Sequence, residues 1–270
     1  LRDSNETALS FDAWKVDEIQ QAVTFGRGLI SPDGEPAGWV IDADVPPGNA
    51  RFHPATPDGA AWTVLLLLAS DRVLGDASAQ ASVRTVLTRY AGFAADGIKP
   101  SRTADGIFRH WIDPLTGQAK SGWDPEFATL STMKMVFAAG RAMAAYPDDP
   151  VIARAGSRIV FGVKNWDAYV RASDRAMFFG GLAGGGADAG SATGQWHEGV
   201  IFVDQAATYA GSTNAALVRG TWLTRSGLPS ASYLSGVPVT TNANGVFSSA
   251  FISLYPALVL PAYRESIEWR

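Results

Sequence analysis

The sequence predicts an all-α fold of helical hairpins arranged as an inner and an outer ring, and three observations predict it. Stretches of helical length with apolar periodicity recur along the chain. Three pairs of them, 58–74/77–95, 125–145/149–171 and 198–211/214–226, are joined by only two to three residues, which makes antiparallel hairpins. Between the pairs lie long connections, 96–124, 172–197 and 227–247, rich in Gly, Trp and Asp.

Taken in order, residues 9–28 form an amphipathic helix. Residues 58–74 carry the apolar run Val64 to Ala69, and Gly75-Asp76 stops that helix and caps the next, which runs to about Ala95. Asp124 as N-cap and Pro125 at the first helical position start 125–145, and Pro147-Asp148-Asp149 separates it from 149–171. Further helices are expected at 198–211, 214–226 and 248–265, the last bent by Pro256 and Pro261. Short β segments are expected at 107–112 and 176–182, within the long connections. Alternating short and long connections put the long loops at one end, together with the first turns of the second, fourth and sixth helices. A cleft forms there. No composition shift marks a linker, so residues 1–270 are expected to form a single catalytic domain.

Composition narrows the function. A chain 47% hydrophobic and 18% charged can build a core without staples, and the absence of cysteine excludes disulfides and thiolate metal sites. A formal net charge of −4 argues against a nucleic-acid partner, which needs a cationic face. No run of about 18 apolar residues is present, so no membrane-spanning helix is expected. The chain opens at Leu1-Arg2-Asp3 without an apolar segment, so an export peptide is expected to have been removed or never to have existed.

Of the seven glutamates, Glu126 and Glu198 are placed by this reading in the first turn of a helix that follows a long loop. Tryptophan precedes each closely, in Trp123-Asp124-Pro125-Glu126 and Trp196-His197-Glu198. Glu126 would share a helical face with Leu130, Met133 and Phe137, and Glu198 with Ile201, Phe202 and Tyr209. Two carboxyls facing one cleft, with tryptophans for stacking, is what glycoside hydrolysis requires. The competing reading is structural: Asp124 as a cap and the glutamates as partners of a helix dipole. Asp113 and Asp105 read as turn residues. His53, His110 and His197 form no two-histidine helical pair, so neither metal nor cofactor is expected. A Gly-x-Ser-x-Gly elbow is absent, and Gly180–Gly186 reads as a turning loop at the cleft rim, without the lysine of a phosphate loop. Trp111, Trp123 and Trp196 fall on or beside the long-loop face, where flat aromatics suit the C–H faces of sugars.

The run Gly106-Ile107-Phe108-Arg109-His110-Trp111-Ile112-Asp113, then Thr116-Gly117, then Glu126 to Thr132, resembles the glucoamylase-like domain family, which includes bacterial endo-β-1,2-glucanases. Members typically carry "GFFYHFLD…TG" followed by Glu-x-Ser-Thr-x-Asp-Thr. The stretch from Thr56-Pro57-Asp58-Gly59 to Leu74-Gly75 and the ending Tyr263-Arg264-Glu265-Ser266-Ile267-Glu268-Trp269-Arg270 are also similar to that family, so the likeness spans about residues 52–270. It implies an (α/α)6 toroid acting on a bacterial β-glucan by inversion and without a metal, with Glu126 matching the motif glutamate. Two features depart from the pattern. The aspartate expected five residues after Glu126 is Ser131, and the preceding Ser-Thr reads Ala128-Thr129. If that aspartate positions water in relatives, its role here is lost, moved, or suited to another linkage. Eight predicted helices also fall short of the twelve of a complete toroid, which points to a reduced member or one that depends on a partner.

The expected function is therefore hydrolysis of a β-glucan, with an oligo- or polysaccharide as the partner molecule. Glu126, Glu198 and Asp124 are the carboxyl candidates; Arg109, His110, Trp111, Trp123 and Trp196 would line the subsites. Polymer-degrading chemistry implies a bacterial periplasmic or secreted location. Two other readings compete: a glycan-binding toroid without catalysis, which Ser131 favours, and a polysaccharide lyase, which needs a cationic cleft and a uronate.

Overall fold

The computed structural model describes residues 11–31, 37–42, 53–171, 176–180, 187–193, 230–233 and 237–240, with Thr208, residues 212–214 and Ala216. Among them are five α-helices: α1 (Phe11–Gly28), α2 (Pro57–Leu74), α3 (Ala79–Ala91), α4 (Thr129–Ala145) and α5 (Pro150–Val160). Within the helices expected at 198–211 and 214–226, only Thr208, Asn214 and Ala216 are described; these are helical, as is Thr213 just before the second. The helix expected at 248–265 lies outside the described residues.

Local chemistry accounts for the ends of these helices. Thr56 caps α2, its Oγ1 accepting from the Asp58 amide at 3.2 Å, and Pro57 opens the first turn. Gly75 ends α2 at φ 68°, a left-handed conformation that glycine adopts without penalty. Asp149 caps α5 by accepting from the amides of Val151 and Ile152 at 3.0 and 3.1 Å. The stretch expected as one helix over 149–171 stops at Val160. A 3-10 turn (Trp166–Ala168) and a short strand, β1 (Val170–Arg171), follow. The stop coincides with a backbone crossing: a Cβ on Gly106 would overlap the Gly162 carbonyl oxygen, so loop 103–107 approaches the chain there more closely than any side chain allows.

The other described strands occupy the long connections 172–197 and 227–247, and β1 lies just ahead of the first of these. β1 pairs antiparallel with β2 (Ala176–Gly180), which pairs antiparallel with β3 (Ala187–Thr193). β4 (Ser230–Tyr233) and β5 (Val237–Thr240) form a separate antiparallel pair. The β segment expected at 176–182 is thus present as β2. Residues 181–186 of the glycine-rich loop lie outside the described residues.

The helices pack as two antiparallel hairpins, α2/α3 and α4/α5, with α1 against α2. Helices α2 and α4 run parallel, because both of their ends are joined. Near the N-termini Lys134 Nζ meets Asp58 Oδ1 at 2.8 Å, and near the C-termini the Tyr146 hydroxyl donates to Asp71 at 2.8 Å. The second and fourth helices therefore begin at one end, as their alternating connections predict. The core fills the space between the hairpins with Ala60, Ala61, Val64 and Leu67 of α2, Val83, Val86 and Leu87 of α3, Met133, Met135, Val136 and Ala139 of α4, and Ile152 and Ile159 of α5. Close α4/α5 contact requires Gly156, where a Cβ would meet Met143 at 2.6 Å.

Three aspartates bind the helices to one another and to their loops. Asp76, beside α3, receives hydrogen bonds from Ser78 and Ser70 and pairs with Arg27 of α1. Asp96 forms a two-pronged pair with the buried Arg89, whose guanidinium lies 5.0 Å from the Trp39 ring centroid. Asp149 pairs with Arg84 and accepts from Gln80 at 2.7 Å, which joins α3 to α5. All three carboxyls stand below their ordinary pKa. For Asp76 the main cause is the Ser78 hydrogen bond, and for Asp96 the Arg89 hydrogen bond. Burial alone would raise Asp149, but Arg84, Gln80 and the two capping amides outweigh it.

A carboxyl with a depressed folded-state pKa stabilises the fold above its unfolded value and loses that contribution as pH falls through the folded value. Thermal unfolding followed from about pH 6 to about pH 2 should therefore show the Tm falling once the pH drops below about 4, the ordinary aspartate range. A Tm that stays level through that window would contradict the role of these pairs.

Candidate functional site

The described candidates gather at the end where α2 and α4 begin. Residues 108–110 run antiparallel to 126–128: the His110 amide donates to the Glu126 carbonyl at 3.0 Å and the Ala128 amide to the Phe108 carbonyl at 2.9 Å, with Arg109 opposite Phe127. This register makes His110 and Glu126 direct cross-strand neighbours, whose side chains meet. His110 Nδ1 lies 2.5 Å from Glu126 Oε1. The two side chains are 25% and 35% exposed, so the pair is reachable from solvent.

Aromatic rings extend from the pair. The His110 imidazole stacks on Trp111 with centroids 4.0 Å apart and planes 17° apart, and Trp111 contacts Trp123 at 4.8 Å. Trp123 remains 37% exposed. The backbone supports this platform through a second hairpin, in which Lys120 donates to the Trp111 carbonyl at 3.1 Å and Ile112 pairs with Ala119. As expected, Asp113 acts as a turn residue, accepting from the Leu115 amide at 2.8 Å and pairing with Lys120 at 3.0 Å.

Two expectations are corrected. Helix α4 begins at Thr129, with Ala128 as its N-cap and no side-chain cap. Glu126 is therefore not in a first helical turn and does not share a helical face with Leu130, Met133 and Phe137. Asp124 is not the cap; its Oδ1 accepts from the Glu126 amide at 3.2 Å in a local turn, and the residue is exposed. The physical reason is the long-range pairing with 108–110, which satisfies the backbone of 126–128 in extended form and competes with the helix start that Asp-Pro-Glu would otherwise make.

Arg109, expected to contact substrate, is engaged with the protein: its guanidinium lies 4.0 Å from the Phe127 ring centroid, donates to the Pro125 carbonyl, and reaches Ser101 Oγ at 3.5 Å. Desolvation lowers its pKa. It braces the segment that carries Glu126. Glu198 and Trp196 lie outside the described residues.

The structure adds residues that the sequence reading did not select. Bridges Ile41↔Ala55 and Ala55↔Ile112 align three segments side by side, and the Asp42 amide donates to the Pro54 carbonyl at 2.9 Å. Asp42 is open to solvent. Its carboxyl nevertheless stands above the ordinary aspartate range, chiefly through desolvation and further through Asp58, against the opposing pull of His110 and His53. Asp58, in the first turn of α2, and Lys134, buried on α4, form the ion pair beneath this rim. The apolar triplet Trp39-Val40-Ile41 ahead of Asp42 was the available signal, since its three buried residues mark a short paired segment. Among the described residues no group of three or more His, Asp or Glu is placed to hold a metal ion, and no helix is long and apolar enough to cross a membrane.

Thr132, fully buried on α4, anchors the pairing to the helix. Its Oγ1 accepts from the Phe108 amide at 2.9 Å and donates to the Ala128 carbonyl at 2.8 Å. Thr132→Val keeps the shape and leaves the buried Phe108 N–H unpaired, so denaturant unfolding should show a loss of about 1–3 kcal/mol. An unchanged midpoint would mean that this hydroxyl does not hold the site.

No protein-family model matches the chain, and no curated protein matches it. Solved structures do match. An endo-β-1,2-glucanase from Chitinophaga pinensis, solved with sophorotriose and glucose, aligns over 89% of this chain and 57% of its own, at TM-score 0.53 and 16% identity. A candidate glucoamylase from Bacteroides fragilis NCTC 9343 aligns over 82% and 52%, at TM-score 0.54 and 15% identity. A β-1,2-glucanase from Parabacteroides distasonis aligns over 75% and 28%, at TM-score 0.52 and 12% identity. The chain thus spans roughly half or less of the length of these proteins. At such identity the likeness speaks to architecture, and the architecture is the helical-hairpin (α/α) toroid, shared with glucoamylase-like proteins and β-1,2-glucanases as the sequence motifs predict.

Proposed function

We propose that the chain is a glycoside hydrolase that cleaves a β-glucan by carboxyl acid–base catalysis, with Glu126 as one of the two carboxyls. The observation that carries this reading is the His110–Glu126 pair, 2.5 Å apart and solvent-accessible, set beside the Trp111–Trp123 platform. A pyranose ring stacked on the indoles would bring a glycosidic bond alongside the carboxyl, since the C–H face of a sugar is apolar and its edge polar. The His110 hydrogen bond occupies Oε1 and fixes the carboxyl's orientation, leaving Oε2 to meet water or substrate. Hydrolysis then requires a proton for the leaving oxygen and a water activated toward the sugar carbon.

A β-1,2-linked glucan is the preferred substrate because the sequence motifs and two of the structural relatives point to it. The expected course is inversion. Acting on a polymer, the enzyme would work in the bacterial periplasm or outside the cell. Ser131, where the sequence pattern calls for an aspartate, is buried in α4, so a water-positioning role would have to come from another acid.

The test is reducing-end release from β-1,2-, β-1,3- and β-1,4-glucans by the wild type and Glu126→Gln. Removing the carboxyl should lower kcat by roughly 10²–10⁴-fold while the variant stays folded. Equal turnover in the variant would exclude Glu126 from the chemistry, and saccharide binding without turnover by the wild type would favour a glycan-binding role.

A further inference from the structure

The acids near His110 are not equivalent, and sorting them by their partners singles one out. Asp58 is committed to Lys134 at 2.8 Å. Asp113 is held by Lys120 and the Leu115 amide, and Asp124 by the Glu126 amide. Asp42, at the end of segment 39–41, which lies between 29–31 and 54–56 in the ladder that continues to Ile112, has no ion pair and no side-chain hydrogen bond among the described residues, and it is open to solvent. It lies close enough to His110, His53 and Asp58 to feel their charges.

We propose that Asp42 is the second carboxyl of the site: it donates its proton to the leaving glycosidic oxygen while Glu126, oriented by His110, activates the attacking water. The proposal rests on the hydrolase reading above and assigns to a described residue the role expected of Glu198. In the step, the bond between the anomeric carbon and the glycosidic oxygen breaks. The Asp42 proton goes to that oxygen, the water oxygen bonds the anomeric carbon, and the water's proton passes to Glu126. Exchange with solvent then returns one proton to Asp42 and removes one from Glu126, so the net change is addition of water across the bond. The two environments suit this division. Desolvation and the neighbouring Asp58 push the Asp42 carboxyl up against the opposing pull of His110 and His53, whereas Glu126 has an imidazole at hydrogen-bond distance.

Leaving-group dependence tests the assignment. Fluoride departs without a proton, so an enzyme lacking its acid still hydrolyses a glycosyl fluoride. Asp42→Asn should lower kcat on β-1,2-glucan by roughly 10²–10⁴-fold and keep hydrolysis of a β-glucobiosyl fluoride within about threefold of wild type. Asp42→Glu, which keeps the acid, should retain part of the glucan activity, and thermal melts of both variants report folding. A folded Asp42→Asn that cleaves glucan like the wild type overturns the assignment and leaves the hydrolase reading standing. Equal loss on both substrates in a folded variant overturns the acid role. A wild type that hydrolyses neither substrate removes the hydrolase reading, and the assignment falls with it.

Discussion

The antiparallel pairing of residues 108–110 with 126–128 is the constraint on which the rim where α2 and α4 begin depends. It sets Glu126 opposite His110 and delays the start of α4 to Thr129, so the glutamate sits in extended backbone rather than on a helix. Thr132 ties this pairing to the body of α4, and Arg109 braces it by lying over Phe127 and donating to Pro125. The exposed tryptophan platform follows from the same loop, since Trp111 comes directly after His110 and the 111–120 hairpin returns the chain to Trp123. Without the pairing, a carboxyl and an imidazole sixteen positions apart would have no reason to meet.

The toroidal fold supplies what the loop cannot. Parallel α2 and α4, joined at both ends by the Asp58–Lys134 and Asp71–Tyr146 contacts, present two helix starts at one rim. Segments that precede each start, 54–56 and 126–128, are then available to pair with the intervening loop. Asp42 comes near Asp58 and His110 in this way, and Glu126 meets His110 from the other segment, although the sequence separates them. Their surroundings differ in a manner that chemistry can use: an ion-paired aspartate below, a partly desolvated aspartate at the edge, and a glutamate beside a histidine.

Much of this was readable from the chain. α2 announces itself through Pro57, its apolar run and Gly75, all local signals, and the short links expected after α2 and α4, four residues each in the structure, join antiparallel hairpins as predicted. That Glu126, His110, Trp111 and Trp123 share a neighbourhood is legible in the sequence, whereas the extended backbone that brings them together is not. Asp124-Pro125-Glu126 has every local mark of a helix start, and only a tertiary pairing, invisible to local propensity, turns it into a strand-like segment. The placement of Asp42 depends on register between segments distant in sequence, which local pattern does not reveal. Arg109 braces Phe127 and Pro125, and sequence does not distinguish that from a substrate contact, because a cation beside aromatic residues serves either.

The most direct measurement of the central claim is a crystal structure of Glu126→Gln with a β-1,2-glucan oligosaccharide bound. The account predicts a pyranose ring lying on Trp111 and Trp123, and a scissile glycosidic linkage flanked by residue 126 and Asp42. A saccharide seated away from this rim, with residue 126 remote from every glycosidic bond, would contradict it.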